Sequence, residues 1–499
     1  MKRLGFSKKR MLAVLVMLPS LAFTTIRAQE QPLVLDLEKA LEIAMSESPT
    51  IQVANQEIEK KKFAKKGAYA ALFPQVTFGF DYSRTLKKQV MYMDGDAFNI
   101  ADMLTPVMDP IIKGADQTLQ DIVPGYKPGS LQDHINANTP PPAESSGGND
   151  GISVGRDNNW SLGFNAAMPL INASLWKSIA ITGQDVELAV EQARSSKIDL
   201  TNQVTKAFYS VLLANDSYQV FKESYDNAMK NYVDIKQKYE QGLVAEYDLI
   251  RADVAVRNAE PNMLQAENSV KLVKWQLKAL LGVDLDLPLE CEGKLTNYQS
   301  ELFGDFLTTT TDTALTDNTS LKQLDIQQGQ LVNTLKMQKF DFLPTLSLTG
   351  LYNWSSMNND FKFKDYQWNP YSMIGISLSI PIFSGGSKIQ KVNQTKVMMT
   401  QLDLQRDDLK RNLQLAVRQS LDNMNTCVKR FDAAQKGVEQ AQRGYMISQK
   451  RYDTGAGTLL EMNDAELAMT QAKLNFNQAI YDYMTAKSDL EKTLGKQAN

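Results

Sequence analysis

The sequence predicts a mainly α chain with a small β part: long antiparallel coiled-coil helices that carry two β-hairpins. Three observations lead there. First, apolar residues from about Ser174 to Tyr239, and again from about Gly386 to Tyr452, recur mostly at alternating gaps of three and four, the seam of a coiled coil. Second, each stripe stops at a glycine turn, Gly242-Leu243-Val244 and Gly455-Ala456-Gly457. Third, the pattern is duplicated: adding 213 takes Phe208 to Leu421, Tyr232 to Tyr445 and Tyr239 to Tyr452. Helices of this length are roughly 100 Å long, more than an ordinary globular domain uses.

In chain order, Lys2, Arg3, Lys8, Lys9 and Arg10 precede an apolar run from Met11 to about Phe23, and Ile26-Arg27-Ala28 offers a cleavage site before Gln29. That is the pattern of a secretory signal peptide, with an apolar run too short to span a bilayer as a helix. No cysteine follows it to carry a lipid, and no other stretch approaches ~18 consecutive apolar residues. Without residues 1–28 the chain holds 48 basic against 57 acidic side chains, which argues against nucleic acid as a partner.

Leu35, Leu37, Ala40, Leu41 and Ala44 mark a short amphipathic helix. Ser48 as N-cap and Pro49 in the first turn restart a helix that reaches about Leu72. From Pro74 the period changes to two. Val76, Phe78, Phe80 and Tyr82 alternate with polar residues, as do Trp160, Leu162, Phe164 and Ala166, so each segment reads as a strand. Residues 86–158 between them are rich in Pro, Gly, Asn and Asp and read as a long exposed loop. That loop holds the single histidine, His134.

After the first long helix and its turn, a return helix is expected from about Glu246 to Leu281, then a polar irregular linker. The pattern then repeats: a helix over Asn318–Asp341, strands around Leu346–Trp354 and Ile374–Ile380, the second long helix, and a return helix from about Thr458 to Leu494. The expected organisation is a signal peptide (1–28), a first repeat (29–282), an equatorial linker (283–313) and a second repeat (314–499). Two cysteines in an exported chain raise the possibility of a disulfide. Cys427, however, falls on the apolar stripe of the second long helix, where it reads as a small core residue, and Cys291 falls in the linker.

Lengths suggest the architecture. The helices Pro49–Leu72 and Glu246–Leu281 sum to roughly 90 Å, so they fit end to end beside the long helix, strands at one end and glycine turns at the other. Strands of about ten residues with apolar-out, polar-in alternation suit an outer-membrane barrel. Trp160, Trp354 and Trp368 near one end and Phe73, Trp176, Phe340, Phe342 and Phe383 near the other suit its two aromatic girdles. The alternative is a soluble sandwich with one buried face. Four strands cannot close a barrel alone, but several chains sharing one barrel can.

These residues resemble the TolC family of outer-membrane efflux proteins. The matching segments are Leu35–Ile51, Phe73-Pro74 and Leu343-Pro344 before the strands, and Met168-Pro169-Leu170 and Ile380-Pro381-Ile382-Phe383 after them. The turn segments Tyr239–Ala252 and Tyr452–Glu466 match too, as do Leu281-Gly282 and Leu494-Gly495. The resemblance implies a homotrimeric α-barrel continuing into a shared twelve-stranded membrane β-barrel, four strands per chain, spanning from the outer membrane and its lipid into the periplasm. It implies an efflux duct fed by a periplasmic adaptor and an inner-membrane pump of the RND or ABC class, or the same duct serving type I protein secretion. A structural coiled-coil protein of the envelope is the reading from a different class.

No phosphate loop, metal-spaced Cys/His set or nucleophile elbow appears, so neither an enzyme nor a cofactor is expected. Glu461 and Asp464 are spaced i, i+3 and share a helix face. If that face lines a bore, threefold symmetry makes rings of carboxylates that attract cations. The alternative is an acidic first turn favoured by the helix dipole. The resemblance places the family's acidic constriction at these two residues and its latch tyrosine at Tyr452, with Asp248 in the position of Glu461 in the first copy. The family's latch arginine falls on Gly457, and Arg251 or Arg443 are the stand-ins considered. The turns Gly242-Leu243-Val244 and Gly455-Ala456-Gly457 are the expected adaptor contacts, and glycine there also ends a helix.

Overall fold

A computed structural model describes residues 33–91, 100–138, 152–299 and 314–496. The expected signal peptide and part of the expected linker lie outside them. The chain forms two compact units. A helical unit contains residues up to Gly67, Lys177–Gln338 and the chain from Ser387 onward; a sheet unit contains Ala68–Trp176 and Lys339–Gly386.

The helical unit opens with β1 (Leu33–Leu35), α1 (Leu37–Glu47) and the start of α2 (Pro49–Ala70). Asp36 caps α1 by accepting the Lys39 N–H at 2.8 Å. The first long helix, α5, runs from Ala173 to Glu240 and returns as α6, Glu246–Leu281. A second set follows: α7 (Thr319–Phe340), the long helix α8 (Ser387–Asp453) and its return α9 (Leu459–Leu494). The long helices have 68 and 67 residues, and α6 and α9 have 36 each.

The end-to-end fit of the short helices is visible in how they stop. Gly282 caps α6 with φ +77°, and a Cβ there would stand 2.8 Å from the Glu47 carbonyl oxygen, at the α1–α2 corner. Gly495 caps α9 with φ +74° against Asp317 and Asn318, just before α7, and Asn318 Nδ2 donates to the Thr493 carbonyl at 2.8 Å. Each return helix therefore ends where a short helix of its own half begins, and glycine is required by both the left-handed φ and the close approach.

The main core lies at this junction. Val204, Phe208, Val211 and Leu212 of α5 pack with Leu277 and Leu281 of α6, Met424 and Phe431 of α8, and Ile480 and Tyr483 of α9. The expected linker is not irregular throughout. Its residues Leu289–Cys291 form β6, which pairs in parallel with β1, and Leu295 beyond it is fully buried. A short parallel pair has no alternating run long enough to announce itself, so composition alone made this segment look like linker. Cys427 is buried in the core, Cys291 is half-buried, and both are free thiols. Burial pushes the Cys291 thiol up to about 12, so it stays protonated and unreactive.

The sheet unit has four antiparallel strands in the order β2 (Gln75–Arg84), β5 (Asn158–Ile171), β7 (Thr345–Asn358), β8 (Asn369–Ser379). Register aligns the alternation of all four. Phe78 faces Phe164, Phe164 faces Tyr352, Met168 faces Leu348, and Leu348 faces Ile376. One face is therefore apolar from edge to edge, with Phe78–Phe164 rings at 5.1 Å and Tyr82–Trp160 at 4.3 Å. The other face carries Thr77, Asn165, Asn353, Ser377 and, at its outer part, a network in which Asn353 Nδ2 donates to Ser161 Oγ (3.0 Å) and Tyr371 Oη (3.1 Å).

Residues 86–158 are not one loop. They contain β3 (Gln89–Met91) paired with β4 (Ile152–Val154), and α3 (Ile100–Ile122) and α4 (Ser130–Asn138). Asp116 ties the two helices together, accepting from the Gly129 and Leu131 N–H groups. Pro106, Pro110 and Gly114 hid α3 from a composition reading. The signal that could have found it is Val107, Met108, Ile111, Ile112 and Ala115 at helical spacing. His134 lies on α4.

Candidate functional site

The expected site residues gather at the two turns of the helical unit. Both turns close by the same device. Gly242 (φ +71°) and Gly455 (φ +74°) take the left-handed conformation, and Leu243 N–H and Ala456 N–H reach back to the carbonyls of Lys238 and Arg451, each at 2.8 Å. These are Schellman-type stops, and only glycine adopts that φ without strain. Leu243 projects with 69 % of its surface exposed.

A small core joins the turns. Ile235 of α5, Ala252 of α6, and Leu459 and Met462 of α9 are buried together, with Tyr232, Val244, Leu249, Tyr445 and Tyr452 packed around them. The two hairpins therefore meet through a shared apolar plug beside their tips. Tyr452 carries Lys238 Nζ over its ring at 5.4 Å. Burial, and then the charges of Asp248, Asp453 and Asp234, push its hydroxyl above the usual tyrosine range, so it stays a neutral donor. Asp248 and Tyr452, read separately from the two copies, are thus electrostatic neighbours.

Glu461 and Asp464 sit in the first turns of α9 and are exposed. Thr458 caps that helix by accepting the Glu461 N–H at 3.2 Å, so the cap fixes where the Glu461 side chain leaves the tip. The arginine beside it is Arg451, 3.5 Å from the Glu461 carboxylate, which also donates to the Ala456 carbonyl at 3.2 Å. Gly457 makes room for this pair: a Cβ there would lie 3.0 Å from Arg451 Cβ and 3.3 Å from Glu461 Oε2. Of the stand-ins considered for the latch, Arg251 lies over the Tyr247 ring and Arg443 pairs with Glu439 at 2.7 Å. Sequence reading missed Arg451 because it lies before the turn and Glu461 after it. Helical spacing does not carry across a chain reversal, and the visible signal was only a glycine where the pattern led one to expect an arginine.

Among the described residues no helix is long and apolar enough to cross a membrane. The membrane surface is instead the sheet. Among the described residues both sheet edges, β2 and β8, lack a neighbouring strand, and the apolar face leaves Phe78, Phe80, Ile374 and Ile376 exposed by 59 %, 59 %, 83 % and 70 %. In water such a face and two such edges are an aggregation hazard; in lipid the face is satisfied and the edges must close on another chain. Paired helical hairpins with an acidic tip, joined in sequence to an open amphipathic sheet, define a subunit of an outer-membrane channel.

Comparison with known proteins agrees. Residues 142–283 and 310–496 match the model of the outer membrane efflux protein family, and the chain belongs to that family. It is 24 % identical over 342 residues to the outer membrane protein TolC of Vibrio cholerae, covering 67 % of this chain and 76 % of that one. To the alkaline protease secretion protein AprF of Pseudomonas aeruginosa it is 23 % identical, over 60 % of this chain and 62 % of the relative. The CmeC outer membrane channel of Campylobacter jejuni has the same fold, with a TM-score of 0.65 at 18 % identity over 92 % of this chain and 85 % of that one. The protein is accordingly an outer-membrane efflux duct that extends into the periplasm, and not an enzyme.

Proposed function

We propose that three copies of the chain form one passive duct of a tripartite efflux system. In this reading β2 of each copy pairs with β8 of the next, closing a twelve-stranded barrel in the outer membrane, and the helical hairpins line a periplasmic tunnel. Residues 1–28 direct export, and the repeats 29–282 and 314–499 are joined by 283–313. Glu461 and Asp464 form acidic rings at the tunnel tip. Tyr452, Asp248 and Arg251 are latch candidates there, and Arg451 is added to them. The turns Gly242-Leu243-Val244 and Gly455-Ala456-Gly457 dock a periplasmic adaptor, which links the duct to an inner-membrane RND or ABC transporter.

The observation that carries this reading is the sheet: one apolar face with exposed side chains on all four strands, and two edges that have no partner strand among the described residues. The gate assignment is supported by two exposed carboxylates one helical turn apart beside a turn, of which Glu461 is placed by the Thr458 cap and paired with Arg451. Conductance of purified protein in planar bilayers tests it. The Glu461→Ala, Asp464→Ala double variant is expected to lose cation selectivity, and block by a multivalent cation should weaken at least about tenfold, because both acidic rings are removed from the narrow tip. Arg451→Ala alone should shorten closed times. Unchanged selectivity and block in the double variant would remove these residues from the gate.

A second reading, the same duct serving type I protein secretion, is favoured by the likeness to AprF, whose name describes secretion of a protease. Deleting the gene and recording drug susceptibility and the secreted-protein profile side by side separates the two.

A further inference from the structure

Glu466 stands where the seam of α9 calls for an apolar residue. Leu459, Met462, Glu466, Met469 and Lys473 succeed one another at gaps of three and four, and the leucine and both methionines are buried. Glu466 is buried with them, 6 % exposed, and its Oε1 has no hydrogen-bond partner among the described residues. The charged and titratable groups facing it come from each packed element. On α5, Asn227 bonds the carboxyl and Glu223 adds a second negative charge. On α8, the half-buried Tyr445 hydroxyl lies within its field. On α9 itself, Lys473 Nζ is already engaged, 2.6 Å from Glu223. The seam between the two hairpins thus encloses one carboxyl group with too few donors, while the nearby cation, Lys473, is spent on Glu223.

We infer that Glu466 is a proton-operated lock on the seam between the two helical hairpins: protonated, it packs as a neutral side chain between α9 and α5; ionised, it forces that seam to hydrate and loosen. Burial outweighs the Asn227 bond, with a smaller push from Glu223, and holds its pKa up at about 7, against an ordinary value of 4.5. A loosened seam returns the group to water and to that ordinary value. The stability Glu466 gives the closed seam is therefore whole below about pH 4.5 and is lost progressively as the pH rises through 7. Glu466 lies on the helix that carries Glu461, one to two turns away, so a loosened seam frees the tip. That consequence rests on the gate reading above; the lock itself does not.

Hydrogen–deuterium exchange on the full-length protein in detergent tests the lock, reading peptides over 459–473 and 220–231 after correction for the intrinsic pH dependence of exchange. Wild-type protein is expected to lose protection in both segments at least about tenfold between pH 5 and pH 7.5. Glu466→Gln and the shape-conserving Glu466→Met should show no such loss. A wild-type profile that is flat across this range overturns the inference whatever the variants do, as does a Glu466→Gln profile that falls as far as wild type. A fall in protection with no accompanying change in channel opening leaves the lock in place and counts instead against the gate.

Discussion

Ile376→Arg is expected to remove the protein from the outer membrane, whereas Ser377→Arg, one residue further on, is expected to be tolerated. Both lie near the middle of β8 and both are exposed, so a soluble sheet would accept either at the surface. The difference is the face. Ile376 stands beside Leu348 in the register and shares the apolar surface with Met168 and Phe78, while Ser377 stands beside Ser347 on the polar one. An arginine on a lipid-facing strand position near the bilayer midplane costs about 2–4 kcal/mol. In a barrel built from three copies the cost is paid in each, about 6–12 kcal/mol for the assembly, enough to abolish folding into lipid. Density-gradient fractionation with immunodetection should show at least about a tenfold loss of the outer-membrane pool for Ile376→Arg only. Equal loss for both variants would mean that the two faces are not lipid and lumen.

Phe208→Ala is expected to carry the largest cost of any single truncation in the helical unit, about 3–5 kcal/mol per chain. Phe208 is fully buried where α5, α6, α8 and α9 share one core, with the Tyr209 ring edge-on at 6.0 Å. Side chains of four helices surround it there, so the core collapses only partly into the space a lost phenyl ring leaves. Val233→Ala, on an exposed stretch of the same helix, is the control and should stay within about 0.5 kcal/mol. Unfolding midpoints in denaturant compare them; a midpoint for Phe208→Ala equal to that of the control would show that the stability is not concentrated in this core.

The long helices were legible because their signal is redundant: a three-and-four spacing sustained over more than sixty residues and stated twice leaves no competing period. The strands were legible for a related reason, since alternation such as Val76, Phe78, Phe80, Tyr82 has no helical reading. What failed were elements whose signal is short or masked. The three residues of β6 fall below any usable window, and its parallel partner β1 lies more than 250 residues away in sequence. In α3, Pro106 and Pro110 outweighed a clear apolar stripe. At the tip, Glu461 and Asp464 were visible as a pair on one face, but Arg451 was not, because its place beside Glu461 is set by the turn and by the missing side chain of Gly457. Glu466 was visible only as an acidic residue among many; that it interrupts a buried seam depends on Asn227 and Glu223 of another helix.

If the four-stranded sheet of one chain is a third of a closed barrel, the channel needs three chains. The stoichiometry of the protein extracted from outer membranes in mild detergent, measured by native mass spectrometry, tests it most directly. Three chains per particle, with no stable smaller species, is the result expected. A monomer that keeps its fold with both sheet edges free would contradict it.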